Sequence, residues 1–344
     1  MKKIITILGA RPQFIKAAAI SRLLRKRVNE IIIHTGQHYD WNMTDIFFEE
    51  MNIPKPDYFL NINKLFHGAM TGRMMEGIET ILLKELPDAV LVYGDTNSTL
   101  AGALVAKKLK IKVIHVESGM RSFNMNMPEE INRILVDKIS DLLFYTSNNS
   151  ILNLLRENNK GEFVNSGDVM YDSIIDNLEF IKNSNYVLCT IHREENTNKE
   201  NLTILISALN KIHKESPVVF PMHPRTKQCI DKYKIQVNFP LIDPVGYKEM
   251  NKLLKNCRLV ITDSGGLQKE SYYFNKYCLI LRNETEWVEL IELGCGILAG
   301  NDDEKRIIKA FNKIKNKVFD FRTHIYGNGK ASQIISDNII KYLK

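Results

Sequence analysis

Cysteine is scarce in this sequence. The five residues Cys189, Cys229, Cys257, Cys278 and Cys295 form no CxxC motif, and several sit in apolar runs. A disulfide framework or zinc site is therefore not expected, and reduced, buried thiols point to the cytoplasm. No apolar run approaches the length of a membrane span. Met1-Lys2-Lys3 before Ile4 to Leu8 superficially resembles a signal peptide, but the run is short and Arg11 interrupts it, so a first strand is expected. Basic blocks of nucleic-acid type are also missing: 47 Lys and Arg against 40 Asp and Glu leave +7, spread along the chain. That surplus suits an anionic small molecule as well as RNA, or simply reflects a Lys-rich background. The dinucleotide fingerprint GxGxxG is absent, as are repeats and low-complexity segments.

What is present is material for two α/β domains. At roughly 150 residues per domain, 344 residues suggest two, and 44% hydrophobic with 25% charged residues can fill two cores. Apolar runs at Ile4 to Leu8, Ile31 to His34, Ala89 to Tyr93, Val113 to Val116, Leu142 to Tyr145 and Gly161 to Ser166 alternate with helical patterns, including Asn42 to Met51, Thr71 to Leu83 and Thr99 to Leu109. This alternation predicts a parallel, doubly wound sheet. A helix at Ser173 to Ile181 and the polar Asn183-Ser184-Asn185 mark a crossover. The pattern restarts at Tyr186, where Val187 to Thr190, Val218 to Met222, Leu241-Ile242, Leu259 to Thr262 and Cys278 to Leu281 each run into a polar, charged or glycine-rich loop. A final amphipathic helix is expected from Ala331 to Leu343, after the break at Tyr326-Gly327-Asn328-Gly329.

Ligands of such sheets bind outside the carboxyl ends of the strands, so the loops there carry the candidates. Arg11, with Lys16 about a turn further along the helix that Pro12 opens, could form an anion site or could be solvent-facing base. For Lys16 alone the bland reading is preferred, because a cation near a helix N-terminus opposes the macrodipole unless an anion is present. Asp95 follows one strand and could simply cap the next helix. Glu117 follows another, in the stretch His115 to Arg133 that holds three carboxylates and two guanidiniums. Ser264-Gly265-Gly266 opens a helix in the manner of a phosphate loop, or is a plain glycine turn. Glu270, one turn on, could reach a ribose diol.

Gly9-Ala10-Arg11-Pro12-Gln13 with Lys16, Gly94-Asp95-Thr96, His115-Val116-Glu117-Ser118-Gly119, Pro128-Glu129-Glu130 with Asn132-Arg133, His192-Arg193-Glu194, Asp263-Ser264-Gly265-Gly266 with Glu270, and Thr285-Glu286 occur in that order. This ordered set resembles the non-hydrolysing UDP-N-acetylglucosamine 2-epimerase family, and the match runs through nearly the whole chain. The resemblance implies a GT-B architecture: two Rossmann-like domains facing across a cleft, residues 1–167 with the acid/base groups and 168–326 binding UDP, and a C-terminal helix, 327–344, returning to the first. It implies inversion at C2 of a UDP-linked 2-acetamido sugar, without nicotinamide or metal, by elimination of UDP to a 2-acetamidoglucal and re-addition. A C2 proton is not acidic, so departure of UDP must build positive charge at C1 while a carboxylate removes the proton, and re-protonation on the other face needs a second acid/base group.

By the same resemblance Asp95, Glu117 and Glu129 are the catalytic carboxylates and His192 assists the leaving pyrophosphate. Substrate contacts are implied for Arg11, Lys16, Arg133, Arg193, Tyr247, Ser264, Gly265, Gly266, Glu270, Arg282 and Glu286. A homodimer, without nucleic-acid or membrane partners, would make precursors for surface polysaccharide. Departures touch specificity. Only Gln37 and His38 match the glutamine-rich stretch of substrate-activated members, and Ala10, Gln13 and Trp287 replace commoner Thr, Glu and Arg. With Tyr39-Asp40 and Thr71-Gly72-Arg73 these resemble a branch acting on decorated sugars such as UDP-2,3-diacetamido-2,3-dideoxyglucuronic acid. A hydrolysing relative, whose usual opening has Arg-Ala-Asp where this chain has Arg11-Pro12-Gln13, a GT-B glycosyltransferase and a UDP-sugar sensor are the competing readings.

Overall fold

A computed structural model describes residues 1–37, 55–175, 184–317 and 324–344. The helix expected at Asn42 to Met51, the segment His38 to Trp41 and the end of the helix expected at Ser173 to Ile181 lie outside the described residues. Two parallel sheets account for the strand runs read from the sequence. The first has seven strands: β1 (Lys3–Leu8), β2 (Asn29–His34), β3 (Tyr58–Phe59), β4 (Ala89–Tyr93), β5 (Lys112–Ser118), β6 (Leu142–Tyr145) and β7 (Glu162–Asn165), in the order β3-β2-β1-β4-β5-β6-β7. The second has six: β8 (Val187–Thr190), β9 (Val218–Pro221), β10 (Leu241–Ile242), β11 (Leu259–Thr262), β12 (Tyr277–Ile280) and β13 (Gly296–Leu298), in the order β10-β9-β8-β11-β12-β13. The central strands are apolar on both faces because helices cover both: every residue of β4, β11 and β12 is buried. The short strands β3 and β13 were not singled out in the sequence reading; both are edge strands of two or three residues, too short to show a pattern.

The chain forms two compact units, residues 1–175 with 324–344, and residues 176–323. The sequence boundary at residue 167 leaves out the helix Val169–Ile175, which packs against the helices Arg11–Leu24 and Ala331–Tyr342 of the first unit. Asp172 ties it there, accepting hydrogen bonds from the Ala331 and Ser332 backbone N–H groups at 3.0 and 2.7 Å and so capping the last helix. Gly167 (φ +70°) faces the Tyr326-Gly327 backbone so closely that a Cβ there would lie 2.6 Å from the Tyr326 oxygen.

Each sheet has one place where the strand order reverses. In the first it lies between β1 and β4, in the second between β8 and β11. Loops leaving adjacent strands there diverge to opposite faces, opening a crevice at the carboxyl edge. The candidate segments Gly9–Arg11 and Gly94–Thr96 follow β1 and β4; His192–Asn196 and Asp263–Gly266 follow β8 and β11.

Candidate active site

In the first unit, Gln13 fixes the switch-point loops. Its Oε1 accepts from the Gly9 and Ala10 N–H groups at 2.7 and 3.1 Å, while Nε2 donates to the Tyr93 carbonyl at 2.6 Å, the last residue of β4. One carboxamide therefore joins the start of the helix Arg11–Leu24 to the turn that carries Asp95.

Glu117 is placed by an irregularity. The register between β5 and β6 shifts between Val116 and Ser118, so Glu117 is an extra residue in the strand, a β-bulge. Its φ of +72° is left-handed, a conformation that costs a non-glycine residue about 1 kcal/mol or more and that concentrates at functional sites. The bulge turns the carboxylate toward the Lys16 ammonium, with which it forms an ion pair; the side chains are only 9% and 10% exposed. This resolves the objection to Lys16 at a helix N-terminus: an anion is present, supplied by the neighbouring strand.

Asp95 is bracketed in the same way. The Arg133 guanidinium donates to Asp95 Oδ2 from Nε at 2.9 Å and pairs with it through a second nitrogen at 2.6 Å, while a third donates to Glu130 at 2.8 Å. Glu130 is wholly buried and also accepts from the Ser122 and Phe123 N–H groups, both at 2.9 Å. Of the adjacent acids at the start of the helix Pro128–Ile139, Glu130 thus holds the loop, and Glu129 stands exposed beside it. The sequence reading named Glu129 and missed the part of Glu130; the signal was Arg133, one turn away on the same face.

In the second unit Asp263 is the organiser. This buried carboxylate accepts from the backbone N–H groups of His192 (3.0 Å) and Arg193 (3.0 Å) and from the Asn196 carboxamide (3.0 Å), and pairs with His192 Nδ1 at 3.0 Å. Burial works against its charge, but the hydrogen bonds from His192, Arg193 and Asn196 outweigh it and hold its pKa below the ordinary value. Asp263 fixes the imidazole through Nδ1, leaving the side chain 40% exposed. His223, whose ring lies 5.7 Å from that of His192, has its pKa lowered by burial first and by His192 and Arg225 next.

Ser264 caps the helix Gly265–Tyr273, its Oγ accepting from Leu267 N–H. The first-turn N–H groups of a helix have no intrahelical acceptor and form a natural anion site. Gly265 packs closely against Glu286: a Cβ would lie 2.3 Å from Glu286 Oε1, and Glu286 is paired at 2.8 Å with the buried Arg282. Trp287 donates to the Gly265 carbonyl at 2.8 Å, and the Lys269 ammonium sits 4.1 Å from the centre of its ring. Arg282, Glu286 and Gly265 therefore come together. Glu270 stands partly exposed on the next turn, Gly266 is exposed, and Tyr247 is buried as the first residue of the helix Tyr247–Asn256. Arg193 immediately precedes the short helix Glu194–Thr197, and Arg11 opens the helix Arg11–Leu24. Among the described residues no group of three or more His, Cys, Asp or Glu is arranged to hold a metal, and no helix is long and apolar enough to cross a membrane.

Comparison with known proteins gives one answer. The family model of the UDP-N-acetylglucosamine 2-epimerases matches residues 22–340. The chain is 47% identical to the UDP-2,3-diacetamido-2,3-dideoxy-D-glucuronate 2-epimerase of Pseudomonas aeruginosa, over 98% of this chain and 99% of that one. It is 44% identical to the UDP-N-acetylglucosamine 2-epimerase of Methanocaldococcus jannaschii, over 97% of each. The crystal structure of the M. jannaschii UDP-GlcNAc 2-epimerase with UDP-GlcNAc and UDP superposes with a TM-score of 0.90 at 42% identity, covering 99% of this chain and all of that one. The fold is the α/β GT-B class of these structures. With the family's model spanning nearly its whole length, this chain belongs to the non-hydrolysing UDP-N-acetylglucosamine 2-epimerases, a family of isomerases.

Proposed function

We propose that this enzyme inverts C2 of a UDP-linked 2-acetamido sugar by eliminating UDP and adding it back to the opposite face. The observation that carries the reading is the pair of cation-bracketed carboxylates at the ends of adjacent strands, Glu117 with Lys16 and Asp95 with Arg133. Carboxylates so held are fixed in position, as a group that takes a proton from carbon or returns one to it must be. Glu129 belongs to the proposal as the third acid. The second unit would bind UDP, with Ser264, Gly265, Gly266 and His192 at the pyrophosphate, Glu270 at the ribose and Tyr247 near the uracil. Arg11, Arg193, Arg282 and Glu286 complete the proposed contacts. Stabilising the charge of departing UDP is what such fixed donors contribute.

Two sugars fit this reading almost equally: UDP-N-acetylglucosamine, and UDP-2,3-diacetamido-2,3-dideoxyglucuronic acid, supported by the 47% identity to an epimerase of that name. Incubation with each in D2O, followed by NMR, separates them. Deuterium at C2 with both UDP-linked epimers identifies the substrate. Free sugar plus UDP would mean hydrolysis, and no exchange with either would overturn the proposal. A cytoplasmic homodimer serving surface-polysaccharide synthesis is proposed on the family resemblance; light scattering tests the dimer.

A further inference from the structure

Beneath the two carboxylates lies a buried network that the chemistry above does not use. His115 in β5, Asp137 in the helix Pro128–Ile139 and Arg121 after β5 are each at most 1% exposed. Asp137 divides its carboxylate: Oδ1 faces His115 Nδ1 at 2.8 Å, and Oδ2 accepts from the Gly119 N–H at 2.9 Å and pairs with Arg121 at 2.8 Å. The other ring nitrogen, His115 Nε2, lies 2.8 Å from the Gly94 carbonyl. Arg121 continues to Glu157 through two bonds of 2.6 Å.

A carbonyl only accepts, so Nε2 carries a hydrogen, and Nδ1 faces a carboxylate. The ring thus stands between two acceptors, one against each nitrogen, and bridges β4 to the helix Pro128–Ile139. Arg121 joins the Asp137 and Glu157 carboxylates on the other side, so the network runs unbroken from Gly94 to Glu157. Burial opposes charge on Asp137, yet the His115 bond and charge, Arg121 and the Gly119 N–H hold its pKa below the ordinary value.

The ends of this network decide its meaning. Gly94 immediately precedes Asp95, and Gly119 follows Glu117 by two residues. Gly94, Glu117 and Gly119 all have left-handed backbone, φ +61°, +72° and +79°. For the two glycines this costs nothing, but at Glu117 such a backbone persists only where its surroundings over-determine it.

We propose that His115 and Asp137 are positioning residues: a buried strut from Gly94 to Gly119 that sets the spacing of the Asp95 and Glu117 carboxylates. The proposal rests on the reading of those acids as the proton-transferring groups. If removal and return of the C2 proton use opposite faces, the two groups must hold their separation through the lifetime of the unsaturated intermediate. A displacement of about 1 Å would slow transfer about a hundredfold. Slow return lets UDP and the unsaturated sugar escape.

The test uses the full chain and compares His115→Gln and Asp137→Asn with Asp95→Asn. For the first two we expect kcat to fall about a hundredfold with UDP affinity unchanged, and a larger fraction of turnovers to end as free UDP and unsaturated sugar. A merely structural role would change stability without moving that partition. If both fold cooperatively and keep the parent kcat and partition while Asp95→Asn is inactive, the strut is wrong. If Asp95→Asn itself epimerises at the parent rate, the reading of the carboxylates fails. Nitrogen-15 spectra of labelled histidine in the parent enzyme give an answer even where a variant misfolds. Both His115 nitrogens protonated supports the strut, and a neutral ring with one nitrogen outside any hydrogen bond overturns it.

Discussion

Lys16 and Glu117 form an ion pair that joins the helix after β1 to the bulge at the end of β5, with both side chains about nine-tenths shielded from solvent. Removing one partner strands a charge in a place that cannot hydrate it. Lys16→Met should therefore lower unfolding stability by about 3 kcal/mol, and adding Glu117→Gln should recover part of that loss. Urea unfolding of the two single variants and the double variant reads the coupling; simple additivity would show that the pair is not coupled. Glu117→Gln alone should lose C2 exchange in D2O while still binding UDP.

Arg133 spans Asp95 and Glu130 with three nitrogens, a task that needs a planar, forked cation. Arg133→Lys keeps the charge but cannot reach both acids. Its kcat should drop about a hundredfold, from loss of carboxylate position, with KM for the UDP-sugar little changed. An undiminished kcat would mean that charge alone suffices at Asp95.

The two glycines of the proposed phosphate loop should respond differently to one methyl group. Gly265→Ala drives its Cβ onto Glu286 Oε1, which Arg282 prevents from moving aside, whereas a Cβ at Gly266 meets nothing closer than 4.0 Å. Gly265→Ala should cost about 1–3 kcal/mol of stability and weaken UDP binding, and Gly266→Ala should leave the fold intact. Calorimetric titration with UDP and thermal melts compare them. Equal tolerance at both positions would contradict the close approach.

His34, at the end of β2 between Phe14 and Phe59, accepts from the Gly36 N–H at 2.8 Å. Burial pushes its pKa down from 6.5 to about 4. The folded ring is neutral in that window while the unfolded ring takes up a proton, so stability falls as pH falls from 6.5 toward 4 and is whole above it. The loss amounts to about 3 kcal/mol, and His34→Gln should flatten the slope between those values. Urea midpoints at pH 4.5, about 5.5 and 7 check this; a parent and variant with parallel pH dependence would assign the slope elsewhere.

The sheets were legible because their strands are apolar on both faces and end in charged or glycine-rich loops. β1, β4, β8 and β11 with the loops after them could be placed from that pattern alone, and the switch points follow from the strand order. What stayed hidden was side-chain partnership. Nothing in the run His115 to Gly119 announces that Glu117 is an inserted residue with left-handed backbone, because a bulge is a property of the pairing with β6. Glu129 and Glu130 are adjacent and chemically alike, and only the fold of Ser122 and Phe123 over the helix start shows which is enclosed. Asp263 was visible as part of a motif, but its grip on both His192 and the following backbone depends on β8 and β11 being neighbours. The strand-order reversal that makes them so joins His192 to a residue 71 positions away.

The helix Ala331–Tyr342 completes the first unit, although the whole of the second unit separates it from the helices Arg11–Leu24 and Val169–Ile175 that it covers. A ribosome therefore releases most of the first unit long before its last helix exists, while the second unit is made without interruption. Synthesis favours maturation of the second unit before the carboxylate-bearing first unit has its final cover. UDP supplied during translation would then find its proposed site on a half-finished enzyme.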